Sequence, residues 1–124
     1  MTRRVLDVGN CGPDHSTITQ VIKANFDAAV DKADRGSDAL SLLQEHDYSL
    51  VMVNRLLDID GSSGMDVISS IQKQYPDVPI MLITNFADHQ AAAVKSGCVP
   101  GFGKREVSSN ATVELLGQYL GQST

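Results

Sequence analysis

The sequence predicts an α/β protein, a doubly wound parallel sheet in a three-layer (βα)5 sandwich, and three observations carry that expectation. Short apolar runs, Val5-Leu6-Asp7-Val8, Leu50-Val51-Met52-Val53 and Ile80-Met81-Leu82-Ile83, have the length and Val/Ile content of strands buried on both faces. Amphipathic stretches separate them, and this alternation of strand and helix calls for parallel pairing with right-handed crossovers. The runs stop at Gly9-Asn10, at Asn54 and at Thr84-Asn85. Ligand sites of such sheets lie outside the carboxyl ends of the strands, so these ends should meet in one place.

Each element has its own signal. After the first strand, Gly12-Pro13 turns into a helix with Ile18, Val21, Ile22 and Phe26 on its buried side. Asp27 to Ala33 is a weaker strand, and Gly36 or Ser37 opens a helix through Ala39, Leu40, Leu42 and Leu43. Leu50 to Val53 is the third and central strand. Ser62 or Ser63 opens a helix carrying Met65, Val67, Ile68 and Ile71, which must stop before Pro76. Pro79 to Thr84 is the fourth strand, and Asp88 to Ser96 a small alanine-rich helix closed by Gly97. A short fifth strand is expected around Val99 to Phe102, and a last helix over Ser108 to Leu120, with Val113, Leu116 and Leu120 on one face.

At 124 residues the chain is read as a single domain, 1–124, large enough for a core without metal or disulfide staples. Met1 and the polar tail from Gly121 to Thr124 are compatible with a complete stand-alone protein. A net charge of -5 without a basic stripe argues against nucleic-acid binding. Cys11 and Cys98 fall in different elements without metal-type pairing, which suggests reduced thiols. No signal-peptide stretch follows Arg3-Arg4, and no run approaches the ~20 apolar residues of a membrane span. A soluble, cytoplasmic protein without membrane contact is the expectation.

The run Gly97-Cys98-Val99-Pro100-Gly101-Phe102-Gly103-Lys104, the segment Ser63-Gly64-Met65-Asp66-Val67-Ile68 and the strand ends together resemble the receiver domains of two-component response regulators. The likeness runs from Arg4 to about Leu120. It implies a flavodoxin-like fold with strand order 2-1-3-4-5 and a role in phosphorelay signal transduction, not enzymatic catalysis. In typical receivers the first strand ends in an acidic pair and the third in the phosphate-accepting aspartate. The fourth ends in Thr or Ser, and a lysine follows the fifth. Here Gly9 and Asn10 take the acidic-pair positions, Asn54 the acceptor position, and Thr84 and Lys104 are retained.

Those departures carry the functional expectation. Phosphoryl transfer to a receiver needs a carboxylate nucleophile, and a primary amide forms no stable acyl phosphate. Mg²⁺ prefers carboxylate oxygens, whereas Gly9 has no side chain and Asn10 and Asn54 offer neutral oxygens. The chain therefore reads as a pseudo-receiver that has no catalytic residues or cofactor and binds Mg²⁺ weakly or not at all. It acts by protein–protein interaction with a kinase, an output protein or a second copy of itself. The resemblance points to the face of the fourth helix, fifth strand and fifth helix, with His89, Val94, Lys95, Val99, Phe102 and Tyr119 as candidates.

Two alternatives stay open: a module responsive to a small anion or metabolite through Lys104, Thr84 and the amides, and a phosphorylation switch through Asp58 or Asp60. Asp58-Ile59-Asp60-Gly61 reads more simply as a turn. Lys104 is expected to bond Asn54 and a backbone carbonyl, and Arg105 in place of the family's proline argues for a trans peptide after it. Asp7, inside a covered strand, needs a basic partner or a wet edge. His15, His46 and His89 are too scattered for a metal site. Neither a nucleotide fingerprint nor a phosphate loop follows a strand, and only Phe86 stands where it could stack on a flavin.

Overall fold

A computed structural model describes residues 3–121. Its strands are β1 (Arg3–Val8), β2 (Ala28–Ala33), β3 (Leu50–Asn54) and β4 (Ile80–Ile83). Its helices are α1 (Gly12–Asn25), α2 (Gly36–Glu45), α3 (Gly64–Gln74), α4 (Ala87–Lys95) and α5 (Asn110–Leu120), with a 3-10 turn at Lys104–Glu106. The strands are parallel, in the order β2-β1-β3-β4. Pro13 lies in the first turn of α1, as its lack of an amide hydrogen favours.

Alternation within the strands builds two cores. Leu6, Val8, Val51, Val53, Ile80 and Leu82 point to one face, where Leu43 of α2, Ile68 and Ile71 of α3 and Ala93 of α4 cover them. Val5, Leu50, Met52, Met81 and Ile83 point to the other, against Ile18 and Ile22 of α1 and Leu116 and Leu120 of α5. Each fully buried Leu or Ile contributes on the order of 1.5–3 kcal/mol. Period two also places Asp7 on the Val5 face, toward α1.

The expected fifth strand is reduced to a single bridge, Met81 to Val99, so the sheet has four strands and not five. Val99 N–H still donates to Ile80 O at 2.9 Å and Thr84 N–H to Phe102 O at 3.2 Å. Between these bonds Pro100 has no donor, and the Gln90 side chain inserts. Its amide donates to Leu82 O at 2.8 Å and its oxygen accepts from Gly101 N–H at 3.1 Å. A side chain of α4 thus takes bonds that a fifth strand would have made with β4. A Cβ at Gly101 would stand 2.3 Å from Leu82 O, so only glycine permits this approach.

α5 begins later than expected because Ser109 is its cap, its hydroxyl accepting from Thr112 N–H. Cys98 is buried, which pushes its thiol pKa up, and both cysteines are free. Among the described residues, no helix is long and apolar enough to cross a membrane.

Candidate functional site

The carboxyl ends of β3 and β4 open onto a cleft of about 220 Å³. Asn54, Thr84 and Lys104 line it together, with Arg55, Asn85 and Phe86. The strand-end argument therefore brings three of its five candidates to one place. Gly9 touches the group through its backbone, and Asn10 turns inward.

Asn54 ends β3, and its amide nitrogen donates to Leu56 O at 2.8 Å and Gly9 O at 3.3 Å. The loop after β3 folds back on β1, with Asp58 N–H donating to Gly9 O at 2.8 Å. Leu57 is carried under the loop and buried, 1% exposed. A Cβ on Gly9 would lie 2.6 Å from Leu57 Cγ, and the Gly9 backbone stands at φ +80°. An acidic side chain at this position would collide with leucine on a backbone that disfavours any side chain.

Asp7 is fully buried, and its two oxygens are engaged by Asn10 Nδ2 at 2.5 Å and His15 Nδ1 at 2.7 Å. The basic partner it needs is therefore His15, from the α1 face to which strand periodicity aims it. Asn10 is 1% exposed, and its Oδ1 is buried without a partner. The sequence placed Asn10 in the shared pocket, whereas it serves as a buried donor to Asp7.

Lys104 does not bond Asn54. Its Nζ meets Asp14 Oδ2 at 2.7 Å, a carboxylate from the first turn of α1. The lysine holds Asp14 below the usual carboxylate range against the opposing effect of burial, and a hydrogen bond with Cys11 adds to the lowering. Asp14 was missed because it follows no strand end, and its only local signal is an acidic residue in a helix's first turn. The Lys104–Arg105 peptide is trans, and Arg105 N–H donates to Asn85 Oδ1 at 3.1 Å. Thr84 is buried and its hydroxyl accepts from Phe86 N–H at 3.2 Å.

Asp60 Oδ1 accepts from Ser62 N–H at 2.9 Å, and the Ser62 hydroxyl and amide hold its pKa low. With Gly61 at φ +71°, this is the turn expected from the sequence. Asp58 and Asp60 are exposed, and neither lines the cleft.

Of the residues assigned to a partner face, Val94 and Lys95 are exposed and His89, Val99 and Tyr119 are partly exposed. Phe102 is 4% exposed and packs in the α1/α5 core, which removes it from any contact surface. Its neighbour Gly103 bears no side chain, so Phe102 takes the inward position of this short segment. Large exposed apolar side chains also occur at Leu56 and Ile59, which the sequence did not single out, and at Phe86, which it singled out only as a ring near a strand end. Arg55 lies 5.5 Å from the centre of the Phe86 ring, and His89 meets that ring edge-on.

Residues 14–101 match the model of the response regulator receiver domain. No curated protein sequence matches the chain. Among solved structures, NtrX from Brucella abortus superposes with a TM-score of 0.82 at 17% identity, over 97% of this chain and 27% of NtrX. A response regulator from Thermotoga maritima gives 0.79 at 18% identity, over 98% of this chain and 100% of that one. A Burkholderia pseudomallei response regulator, solved with a phosphorylated aspartic acid, gives 0.72 at 22% identity, over 95% and 66% of the two chains. At these identities the structures speak for the fold, while the family match spans most of the chain and covers β2 through α4. With residues 14–101 matching the family model, the chain belongs to the response regulator receiver domains of two-component signalling.

Proposed function

We propose that this receiver domain signals without an aspartyl phosphate, by binding a protein partner. The observation that carries the reading is the bonding of Asn54: the residue ending β3 is an amide whose nitrogen is spent on Leu56 O and Gly9 O. A group at that position presents no carboxylate to attack phosphorus. The same reading holds that Mg²⁺ binds weakly or not at all. Leu57 fills the space beside Gly9, and Asp7, the carboxylate on β1, is sealed between Asn10 and His15. A hard cation that keeps several waters finds no carboxylate pair there, so the residues present do not fit it.

Signal output then rests on surface. Phe86 at the cap of α4 and Val94 within it expose apolar side chains, and Lys95 in its last turn adds a cation, so α4 is the element we assign to a kinase, an output protein or a second copy. The pairing of Lys104 with Asp14 weighs against an anion-responsive cleft, and the turn role of Asp60 weighs against a relocated acceptor.

The test is intact mass after incubation with acetyl phosphate and Mg²⁺, run beside a receiver of known activity. An unchanged mass is expected. Gain of one phosphoryl group would overturn the reading, and its loss in Asp58→Ala or Asp60→Ala would locate the acceptor.

A further inference from the structure

The loop after β3 and the cleft beside it are opposite in character. Asp58, Ile59 and Asp60 form the tip of the loop, all three exposed, and Ile59 keeps 44% of its surface in water. The base beneath them is closed. Leu57 N–H donates to Ser62 O at 2.9 Å and Gly61 N–H to Leu57 O at 2.7 Å, while the buried Leu57 side chain anchors the turn. Neither aspartate forms an ion pair among the described residues. The cleft, by contrast, is lined by the cations Arg55 and Lys104 and by exposed Leu56 and Phe86, with no carboxylate among the described residues. Lys104 is matched by Asp14, whereas Arg55 has no acidic partner among the described residues and is the cation left over.

Single exposed apolar residues are ordinary, but three of the four large ones among the described residues, Leu56, Ile59 and Phe86, stand at this one end of the sheet. An aliphatic side chain at the apex of a closed turn leaves water only by entering a second molecule, and the closed turn lowers the entropy lost on docking. Its two flanking carboxylates call for an apolar pocket with a cation at the rim. Arg55, Leu56 and Phe86 provide that pocket on the chain itself. At about 220 Å³ it is smaller than the roughly 300–1,000 Å³ of sites for drug-sized ligands, and it suits an inserted side chain. The loop is tied toward β1, through Asp58 N–H to Gly9 O at 2.8 Å, whereas the cleft opens over β3 and β4. Tip and cleft therefore stand side by side. A twofold axis along the sheet normal, passing between them, sets each tip against the cleft of a second copy, so that both contacts form at once.

We propose that this end of the molecule is a self-association surface, on which two copies insert the Ile59 tip of the β3–α3 loop into each other's cleft. Ile59 packs against Leu56 and Phe86 of the second copy, and Asp58 and Asp60 face its Arg55. The proposal rests on the reading of a protein-binding module above, and it names the partner as a second copy of this chain. Phe86 caps α4, so the contact adjoins the α4 surface and leaves the exposed Val94 and Lys95 free for another protein.

The test is sedimentation equilibrium of the full chain at neutral pH, with intact mass after acetyl phosphate and Mg²⁺ measured on the same preparation. A monomer–dimer equilibrium with a Kd on the order of 0.1 mM is expected, because two loop contacts make a small interface. Raising salt from about 50 to about 500 mM should weaken it severalfold, since the ion pairs lie at the surface. Ile59→Ala should weaken it about tenfold. Two charge reversals carry the decision: Asp58→Lys with Asp60→Asn at the tip, which keeps an acceptor for Ser62 N–H, and Arg55→Glu in the cleft. Each sets like charges of tip and cleft against one another and should weaken dimerisation about tenfold or more. An equimolar mixture of the two reversed chains restores opposite charges at both contacts and should dimerise as the parent does, which misfolded chains could not do. The proposal is overturned by a parent that stays monomeric at about 1 mM, by either reversal dimerising as well as the parent, or by a mixture that stays monomeric. A mass gain in a chain that still dimerises overturns the phosphate-independent reading alone, and a monomer without mass gain overturns this one alone.

Discussion

Replacing Asn54 by aspartate is the obvious attempt to rebuild a phosphate acceptor, and the bonding around it predicts a penalty. The carboxylate would face Leu56 O and Gly9 O, two acceptors that now receive the amide's hydrogens. Asn54→Asp should cost about 0.5–1.5 kcal/mol, the range of a lost hydrogen bond, because the Leu56 contact is exposed and Gly9 O keeps the Asp58 amide. Gly9→Asp should cost a further ~1–3 kcal/mol through its positive φ, and more where Leu57 cannot give way. Urea denaturation of both variants measures this, and an unchanged midpoint for Gly9→Asp would refute the account of the Leu57 packing. At this scale the sequence was readable where position alone decides: Asn54, Thr84 and Lys104 meet because strand ends meet. It was not readable where a distant element supplies the partner. Asp14 reaches Lys104 from α1, and Leu57 reaches Gly9 only because a loop folds back, and neither contact leaves a local pattern.

Elements were legible to the extent that their residues repeat with a clear period. The apolar runs of β1, β3 and β4 and the 3.6-residue stripes of α1, α3 and α5 appear close to their expected bounds. The fifth strand failed because its apolar signal, Val99 and Phe102, is interrupted by Pro100 and Gly101, and because a side chain takes its hydrogen bonds. Gln90 thereby ties α4 to β4 and to the segment 99–102. Gln90→Ala is expected to leave Leu82 O and Gly101 N–H without partners and to destabilise the protein by about 1–3 kcal/mol. Hydrogen exchange should show the loss first at Gly101 and along α4. Exchange that stays as slow as in the parent would show that the segment is held by apolar packing alone.

Across the molecule, several ionisable groups differ in folded and unfolded chains, and their signs set the pH range of stability. Asp14 is held below its ordinary 3.8 by Lys104. Burial raises Asp31, but hydrogen bonds from Tyr48 and Arg4 outweigh it, and its value too falls below 3.8. A lowered carboxylate stabilises the fold above its unfolded value and loses that contribution as pH falls through the folded one. Tyr48 is shifted the opposite way from its ordinary 10.0, by burial and by Asp31. Its contribution is full below that value and is lost as pH rises beyond it. The urea midpoint should therefore be flat near neutrality and decline below about pH 4. Asp14→Asn should flatten part of the acid limb, with an effect no larger than about 1 kcal/mol because the pair is about one-third exposed. An acid limb unchanged in both Asp14→Asn and Asp31→Asn would assign the decline to other carboxylates.

The Gln90 insertion has a further consequence for how these molecules meet. An unprotected sheet margin offers a row of amides and carbonyls on which another chain can template itself. On the outer side of β4, Ile80 O is taken by Val99, Leu82 O by Gln90 and Thr84 N–H by Phe102. Beyond it the backbone continues through a proline and a glycine whose amide is already bonded. That margin is closed to templated growth, so partners and like copies on this side must associate through side chains.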